Sequence, residues 1–220
     1  IVSEPEMHTA VEAKAYAREL WLRMKYADVS EANLYYGNMR FDVNVSVSKT
    51  STLGTRTETK NLNSFRSIEK AVEYEINRQI EQLEAGGVVV QETRGWDDAK
   101  QITFSQRTKE DAHDYRYFPD PDLPPIVLDA DYIAKVQAEM PVMPAEWRQR
   151  LQSLGLEPSQ IEALLESQVE FDTDYMTLIE SNLADVPKAK TYANWLINIE
   201  IPLRRELLET TTDQTIDDEV

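Results

Sequence analysis

The sequence predicts an α+β fold in which a region of strands and helices is followed by a small, all-helical region. Residues 39–63 alternate between apolar and polar side chains, which is typical of half-buried strands. Residues 65–83 carry apolar side chains at helical spacing, and beyond residue 128 only helical periodicity remains. We therefore expect three segments: an α+β domain at 1–128, a helical domain at 129–208 and an acidic linker at 209–220.

The first predicted element is a helix from about Ala10 to Tyr26. Thr9 and Glu12 form a capping-box pattern at its start, because each side chain can bind a backbone N–H group that the helix leaves unpaired. Apolar side chains then recur every four residues, at Tyr16, Leu20 and Met24.

Two strands are predicted next, joined by a polar turn that ends at Gly54. Antiparallel pairing of residues 39–48 with 55–60 would gather six polar side chains on one face of the sheet. They are Arg40, Asp42, Asn44, Arg56, Glu58 and Lys60. Carboxylates bind hard cations, whereas Arg, Lys and Asn bind phosphoryl oxygens, so this face has the composition of a phosphoryl-transfer site. The alternative for Asp42 and Glu58 is simple charge pairing with the neighbouring basic residues.

A longer helix is predicted to begin at Asn63 or Ser64, either of which can cap it, and to end at Gly86–Gly87. Its expected apolar stripe is Phe65, Ile68, Val72, Ile76, Ile80 and Leu83. Residues 88–93 and 101–105 flank a polar segment at 94–98 and indicate a hairpin. Residues 126–128 are predicted to form a last short strand.

Prolines divide the rest of the chain. Residues 114–125 contain four prolines and are expected to form a rigid connector, because proline excludes regular helix. In the helical region we expect breaks at Pro141, Pro144, Gly155, Pro158 and Pro187. Pro202 is expected to kink or end the helix that contains Trp195, and the acidic residues after it are expected to fray.

Charge and composition exclude several classes of protein. The 220 residues carry a net charge of −17, of which −5 falls on residues 1–128 and −12 on residues 129–220, so a polyanion should approach the first region. No cysteine is present, which excludes disulfides and thiolate chemistry, and no apolar run is long enough for a membrane span. Neither a P-loop nor a dinucleotide-binding glycine motif occurs. His8 and His113 stand alone and are interpreted as surface or packing residues.

Long segments of the sequence resemble the GatB/GatE family, which contains the B subunit of the tRNA-dependent glutamyl/aspartyl amidotransferase. The segments are IVSEPE, MRFDVNVSV, GTRTETKNLNSFRSIEKAVEYEINRQIEQLEAGG, VVQETRGWD and DYRYFPDPDLPP, in order from Ile1 to about Leu128. KTYANWLIN at 190–198 is similar to the later helical region of the family.

The resemblance implies a cradle-like antiparallel sheet with flanking helices, followed by a helical domain. It implies a carbon–nitrogen ligase that uses ATP and Mg²⁺ to phosphorylate the side-chain carboxylate of Glu-tRNA(Gln) or Asp-tRNA(Asn). Ammonia from a separate glutaminase subunit then displaces the phosphate, and a small third subunit holds the two larger ones together. A cytoplasmic location is implied, with an organelle as the alternative.

By resemblance, the acidic positions of the family motifs are Glu4, Asp42 and Glu58, which are expected to bind Mg²⁺. Arg40 and Lys60 are expected to act in catalysis, and Asn44, Asn61 and Arg116 to contact phosphate or substrate. Phe41 and Thr59 depart from the usual family residues. The chain begins at Ile1, so we expect it to be part of a longer protein whose cradle has an earlier portion with further metal ligands.

Two other functions stay open at this point. The chain can be an assembly and tRNA-docking scaffold whose carboxylates only balance Arg56 and Lys60. It can also contain an acidic helical interaction module at 129–220 attached to an inactive cradle.

Overall fold

The computed structural model describes residues 1–108 and 119–217, and in them the chain forms two compact units. The first unit contains Ile1–Met24 and Ser30–Ala138, and the second contains Lys25–Val29 and the chain from Glu139 onwards. The predicted α+β class, with a helical C-terminal region, is confirmed. The division lies ten residues beyond the predicted boundary at 128/129, and the assignment of three functional segments stays a prediction.

Two helices and two strands form the first part of the first unit, in the order that the sequence predicts. They are α1 (Ala10–Tyr26), β1 (Phe41–Val45), β2 (Thr57–Leu62) and α2 (Phe65–Glu84). The predicted capping box of α1 is present, since the backbone N–H of Glu12 donates to Thr9 Oγ1 (3.1 Å) and that of Thr9 donates to Glu12 Oε2 (2.9 Å). Ser64 caps α2 by accepting from the N–H of Ser67 at 3.0 Å.

A hairpin and one further helix complete this unit: β3 (Glu92–Asp97), β4 (Ile102–Thr108) and α3 (Ala130–Glu139). The hairpin is confirmed, but its turn lies at 98–101, so the predicted turn residues 94–97 belong to β3 instead. Residues 126–128 form no strand, which corrects that prediction; these three apolar residues are exposed and pair with no strand in the described part of the chain.

The four strands form one mixed sheet in the order β1-β2-β3-β4. The pairs β1–β2 and β3–β4 are antiparallel, as predicted, whereas β2 and β3 run parallel. The reason is the intervening helix: α2 returns the chain to the end at which β2 began, so the next strand runs in the same direction.

Helices α1 and α2 pack on one face of the sheet, which we call the core face. Its apolar cluster includes Ala17 of α1, Leu62 of β2, and Ile68 and Ala71 of α2. Burial of such side chains stabilises a fold by about 25 cal/mol per Å² of apolar surface. The opposite face of β1 and β2 carries the predicted polar side chains.

The second half of α2 turns a polar stripe towards the sheet, which corrects the predicted apolar stripe. Glu75 and Gln79 are fully buried, whereas Ile80 and Leu83 are 36% and 40% exposed. The buried stripe continues from Ile68 at helical spacing, at Ala71, Val72, Glu75 and Gln79. Hydrogen-bonding groups from the strands meet this stripe, so the Glu75 carboxylate and the Gln79 amide nitrogen are buried with partners, whereas Gln79 Oε1 is buried without a hydrogen bond in the described part of the chain.

Glu75 and Gln79 contact all four strands, and we call the two residues with their partners the buried network. The Glu75 carboxylate accepts hydrogen bonds from Thr57 of β2 (2.7 Å) and Thr103 of β4 (2.8 Å), and its Oε2 lies 3.3 Å from Arg94 Nε of β3. The Gln79 amide donates to the carbonyl oxygen of Val45 in β1 at 3.1 Å. Arg78 also binds Glu75 with both Nε and Nη2.

Burial alone would raise the pKa of the Glu75 carboxyl group. Hydrogen bonds from Arg78, Thr57, Thr103 and Gln79 stabilise the charged form, and together they lower the pKa below its ordinary value. Glu75 is therefore a buried carboxylate that is ionised and paired.

The second unit is helical, as predicted. Its helices are α4 (Pro144–Gln152), α5 (Pro158–Glu170), α6 (Tyr175–Glu180), α7 (Val186–Trp195) and α8 (Ile201–Asp217). Pro144, Pro158 and Pro187 occupy the first turns of α4, α5 and α7, where the missing N–H costs no hydrogen bond. The core contains Leu151, Leu164, Leu165 and Ile179, all fully buried.

Pro202 does not end the last helix, and the helix continues into the acidic residues that were expected to fray. A π-helical segment, Leu196–Glu200, joins α7 to α8, and α8 continues to Asp217. The wider π-turn directly before Pro202 accommodates a residue that has no N–H and would crowd a regular turn. None of the helices in the described ranges has the length and apolar character that a transmembrane span requires.

We expect Glu75→Ala to lower the free energy of unfolding by about 3 kcal/mol, because it leaves Arg94 and Arg78 without their shared buried partner. Glu75→Gln keeps the size and some of the hydrogen bonds, so we expect a smaller loss of about 1–2 kcal/mol. Urea unfolding measures both. Glu73→Gln is the matched control: Glu73 is on the same helix, half exposed, and pairs across the surface with Lys70. A Glu75→Ala protein as stable as this control would contradict the buried network.

We also expect the stability of the wild-type protein to fall more steeply on acidification than that of Glu75→Gln. A carboxyl group whose pKa is lowered on folding contributes stability above its unfolded pKa, and this contribution is lost as the pH falls through the folded pKa. The difference between the two proteins should therefore shrink below about pH 4.5. Chemical unfolding from pH 7 to pH 3 tests this, and a constant difference would show that Glu75 is not ionised in the folded protein.

Candidate functional site

The exposed face of β1 and β2 brings together four of the predicted site residues, and we call it the polar face. Asp42 and Asn44 lie on β1, and Glu58 and Lys60 lie on β2. Asn44 pairs directly with Glu58 in the register of the two strands. Alternation places these side chains opposite to the strand residues that face α2, which are Val43, Val45, Thr57 and Thr59. β1 is shorter than predicted, and β2 begins two residues later than predicted, so Arg40 and Arg56 lie just outside the strands.

A β-bulge at Asn61 shapes this face. Phe41 pairs with Leu62 and Val43 pairs with Thr59, so β2 has one residue more than β1 between these pairs. Asn61 has a φ of +60°, a left-handed conformation that Asn tolerates better than most residues. Its backbone N–H donates to Asp42 Oδ1 at 3.0 Å. The bulge thus fixes the Asp42 carboxylate and returns Leu62 to the core face.

Lys60 lies between the two carboxylates. Its Nζ is 3.2 Å from Asp42 Oδ2 and 3.7 Å from Glu58 Oε1. The other oxygen of Glu58 is 3.4 Å from the hydroxyl of Thr93 on β3. The side chains of Lys60 and Asp42 are 31% and 42% exposed, so this ion pair contributes about 0–1 kcal/mol to stability. The arrangement holds two carboxylate oxygens around one positive charge at little energetic cost.

Arg40 and Glu4, two further predicted site residues, are not part of the polar face. Arg40 precedes β1, and its side chain passes close to the turn at Gly37. Glu4 lies in an exposed segment, where its carbonyl oxygen accepts from the N–H of Glu6. Arg116 lies outside the described residues. In residues 1–108 and 119–217 no three acidic or histidine side chains lie close enough together to hold a metal ion.

Sequence reasoning missed three residues that the fold places on this side of the sheet or beneath it. Thr93, which binds Glu58, had no signal because its strand pairing is long-range. Glu75 was missed because a charge in a helix is normally solvated; its spacing of seven residues from Ile68 was the available signal. Phe104 of β4 was treated only as part of a hairpin, although alternation with Thr103 places it on the exposed face.

Comparisons with known proteins identify the family of the chain. The family model of the GatB/GatE catalytic domain matches residues 1–134, more than half of the chain. The chain belongs to the GatB/GatE family. The match covers the whole sheet, α1 and α2, and therefore every residue of the polar face.

Several relatives are named as the B subunit of aspartyl/glutamyl-tRNA(Asn/Gln) amidotransferase. That of Paraburkholderia xenovorans (strain LB400) is 46% identical over 213 residues, 95% of this chain and 43% of the relative. That of Caldicellulosiruptor saccharolyticus is 51% identical over 152 residues, 68% of this chain and 32% of the relative. That of Herpetosiphon aurantiacus is 43% identical over 216 residues, 97% of this chain and 44% of the relative. The chain thus spans less than half the length of each of these relatives.

The resemblance to the GatB/GatE family implies Mg²⁺ and ATP. The polar face fits a magnesium ion in the type and number of its carboxylate ligands. Mg²⁺ in phosphoryl-transfer sites is usually bound by one or two carboxylates, with phosphate oxygens and water completing its shell. Asp42 and Glu58 supply two carboxylates that already face a shared cation, the ammonium group of Lys60. Glu4 as a third ligand stays a prediction.

We expect Asn61→Val to lower the free energy of unfolding by about 1–2 kcal/mol, because a β-branched residue strongly disfavours a positive φ. Asn61→Gly should be nearly neutral, since glycine adopts this conformation without strain. Asn44→Val is the matched control, because Asn44 occupies a regular, exposed strand position on the same face. Urea unfolding of the three variants measures the difference. Equal stability of the Asn61→Val and Asn61→Gly proteins would argue against the bulge.

Proposed function

We propose that the protein is the part of an amidotransferase B subunit that carries the phosphoryl-transfer site of tRNA-dependent amide formation. The substrate is the side-chain carboxylate of glutamate or aspartate on a mischarged tRNA(Gln) or tRNA(Asn). ATP phosphorylates this carboxylate with release of ADP, and ammonia from a partner glutaminase then displaces the phosphate to form the amide. The small third subunit, the tRNA and a cytoplasmic location belong to the same proposal. Family membership and the names of the relatives support it.

The observation that carries the proposal is the convergence of Asp42 and Glu58 on Lys60. A reaction between a carboxylate and a phosphoryl group needs little covalent help from a protein. It needs positive charge at the phosphoryl oxygens and a fixed geometry for the two reactants. Two carboxylates and a lysine on adjacent strands supply both a place for a divalent cation and a positive side chain beside it.

The residues of the polar face have separable roles in this proposal. ATP with Mg²⁺ supplies the phosphoryl group and neutralises its charge. Asp42 and Glu58 hold the Mg²⁺, and the Asn61 N–H keeps the Asp42 carboxylate in a fixed orientation. The Lys60 ammonium group, held by partly exposed ion pairs, can turn to phosphoryl oxygens and stabilise their charge. Arg40 and the amides of Asn44 and Asn61 are further contacts for phosphate or substrate.

A second candidate function rests on the same ion pairs. If Asp42 and Glu58 only neutralise Lys60, the chain serves as an assembly and tRNA-docking scaffold of the same complex. The distances of 3.2 and 3.7 Å are ordinary for structural ion pairs, which is the observation that favours this alternative.

The deciding experiment uses the full-length protein together with its partner subunits. We expect Asp42→Asn and Glu58→Gln each to lower the Mg²⁺- and ATP-dependent formation of the acyl phosphate on Glu-tRNA by about 100-fold or more, because each removes a charge that holds the cation. Glutamine hydrolysis by the partner glutaminase should be retained. The measurements are rapid-quench detection of the acyl phosphate and a separate assay of glutaminase activity.

Glu73→Gln is the control, since Glu73 is an exposed acid of α2 that pairs with Lys70 away from the polar face. It should leave both activities unchanged. Normal amidation by the Asp42→Asn and Glu58→Gln proteins would reject the metal-binding role and favour the scaffold. Loss of complex formation in these variants, seen by gel filtration, would have the same meaning.

A further inference from the structure

The segment from Ile126 to Met140 carries large apolar side chains that the rest of the described chain does not cover. Every residue from 126 to 141 is exposed, and α3 has no buried residue. Seven of these side chains are large and apolar, and they are 43–85% exposed: Ile126, Val127, Leu128, Tyr132, Ile133, Val136 and Met140. We call these seven residues the apolar strip.

The helix α3 is too short to be stable without packing. Isolated helices of fewer than about 12–15 residues are marginal in water, and helices in proteins are stabilised mainly by burial of an apolar face. α3 has ten residues. Asp129 caps it by accepting from the N–H of Tyr132 at 2.8 Å, which fixes where the helix begins but buries no apolar surface. The apolar strip therefore needs a partner surface.

The apolar residues of α3 lie on one side of the helix. Tyr132, Val136 and Met140 are four residues apart and Ile133 lies beside them, so the four fall within an arc of about 100°. No charged residue of the segment 132–140 lies inside this arc. A second helix can therefore pack along it without burying a charge.

The extent and the spacing of the apolar strip fit a second copy of the same chain. Its seven residues expose roughly 800 Å², which is about what each partner contributes to an interface of standard size. Val136 is equally far in sequence from Tyr132 and Met140, so a two-fold axis at Val136 puts Tyr132 of one copy against Met140 of the other. Contact between a thioether sulfur and an aromatic ring is favourable.

We propose that the apolar strip is the interface of a homodimer, in which the α3 helices of two copies pack antiparallel around Val136. This inference does not depend on the proposed function. Each chain carries a net charge of −17, so two copies repel each other at long range and the contact depends on apolar burial. Salt screens that repulsion, so the dimer should become tighter as salt is added, whereas a complex with a basic partner would weaken.

Sedimentation equilibrium of the 220-residue chain tests the dimer. Interfaces of this size are micromolar or tighter, so we expect dimers at about 10 μM protein. The Kd should fall at least about threefold when NaCl is raised from about 0.1 to 0.5 M. Val136→Glu should raise the Kd by about 100-fold or more, because it buries two like charges at the two-fold axis.

Leu203→Glu is the matched control for Val136→Glu. Leu203 of α8 is 49% exposed and lies outside the apolar strip, so this variant should dimerise like the wild type. Thermal unfolding of each variant records its folding.

A single introduced cysteine tests the geometry of the interface. The chain has no cysteine of its own, so only the introduced thiols can form a disulfide. In the Val136→Cys protein the two thiols meet at the two-fold axis, and diamide, which takes up their two hydrogen atoms, should convert most of the protein to a covalent dimer on a non-reducing gel. Ala134→Cys is the matched control: Ala134 is also exposed but lies on the opposite side of α3, so this protein should stay uncross-linked.

Each result decides the proposal. A wild-type chain that stays monomeric at ten times that concentration rejects the homodimer, and so does equal cross-linking of the Val136→Cys and Ala134→Cys proteins. A dimer that persists in the Val136→Glu protein places the interface elsewhere and also rejects the proposal. If the wild-type chain is monomeric and Val136→Glu abolishes binding of the glutaminase or the small third subunit in gel filtration, the apolar strip docks that subunit instead. None of these results changes the roles proposed for Asp42 and Glu58.

Discussion

The first unit depends on the buried carboxylate of Glu75. This one group is bound by side chains from β2 and β4, lies within ion-pair distance of Arg94 on β3, and is bound by Arg78 on its own helix. Gln79, one turn further along α2, adds β1 through the carbonyl oxygen of Val45. A polar contact of this kind is directional, unlike an apolar contact, so it fixes where each strand lies along the helix as well as how close it is.

The polar face obtains its geometry from this network because neighbouring residues of a strand lie on opposite faces. Thr57, which binds Glu75, precedes Glu58. Arg94, also within reach of Glu75, follows Thr93, whose hydroxyl is 3.4 Å from Glu58. The strands cannot slide past one another without breaking buried hydrogen bonds, and the same sliding would separate the residues of the polar face. The exposed ion pairs alone are too weak to hold that register.

Alternation along β1 and β2 was enough to predict that Asp42, Glu58 and Lys60 share a face, because the period of two is a local property of the chain. The helices α1 and α2 were predictable for the same reason, from their caps and their periodicity. The parallel pairing of β2 with β3 was missed, since it joins Glu58 to Thr93, which is distant in the sequence. Its consequence, the contact of Thr93 with Glu58, was missed with it.

Two other errors come from treating a residue type as a fixed signal. Glu75 and Gln79 were left out of the buried stripe because they are polar, yet their helical spacing from Ile68 places them on it, and the strands supply hydrogen bonds to the Glu75 carboxylate and the Gln79 amide nitrogen. The segment around Gly95 was assigned to a turn because it is polar and lies between two strand-like runs. In the structure Gly95 lies within a strand, where the ring of Phe104 occupies the space that a side chain would fill.

The two faces of the sheet differ in how strongly their charges are held, and the proposed phosphoryl-transfer role depends on that difference. Glu75 is fully buried and its pKa is lowered by several hydrogen bonds that outweigh the effect of burial, so its partners stay fixed. Lys60 and Asp42 are partly exposed and weakly paired, so Lys60 can exchange one anionic partner for another. Because the buried contacts of Glu75 are fixed and the exposed ion pairs of Lys60 can be exchanged, charged ligands can enter and leave while the strands that hold the carboxylates do not move.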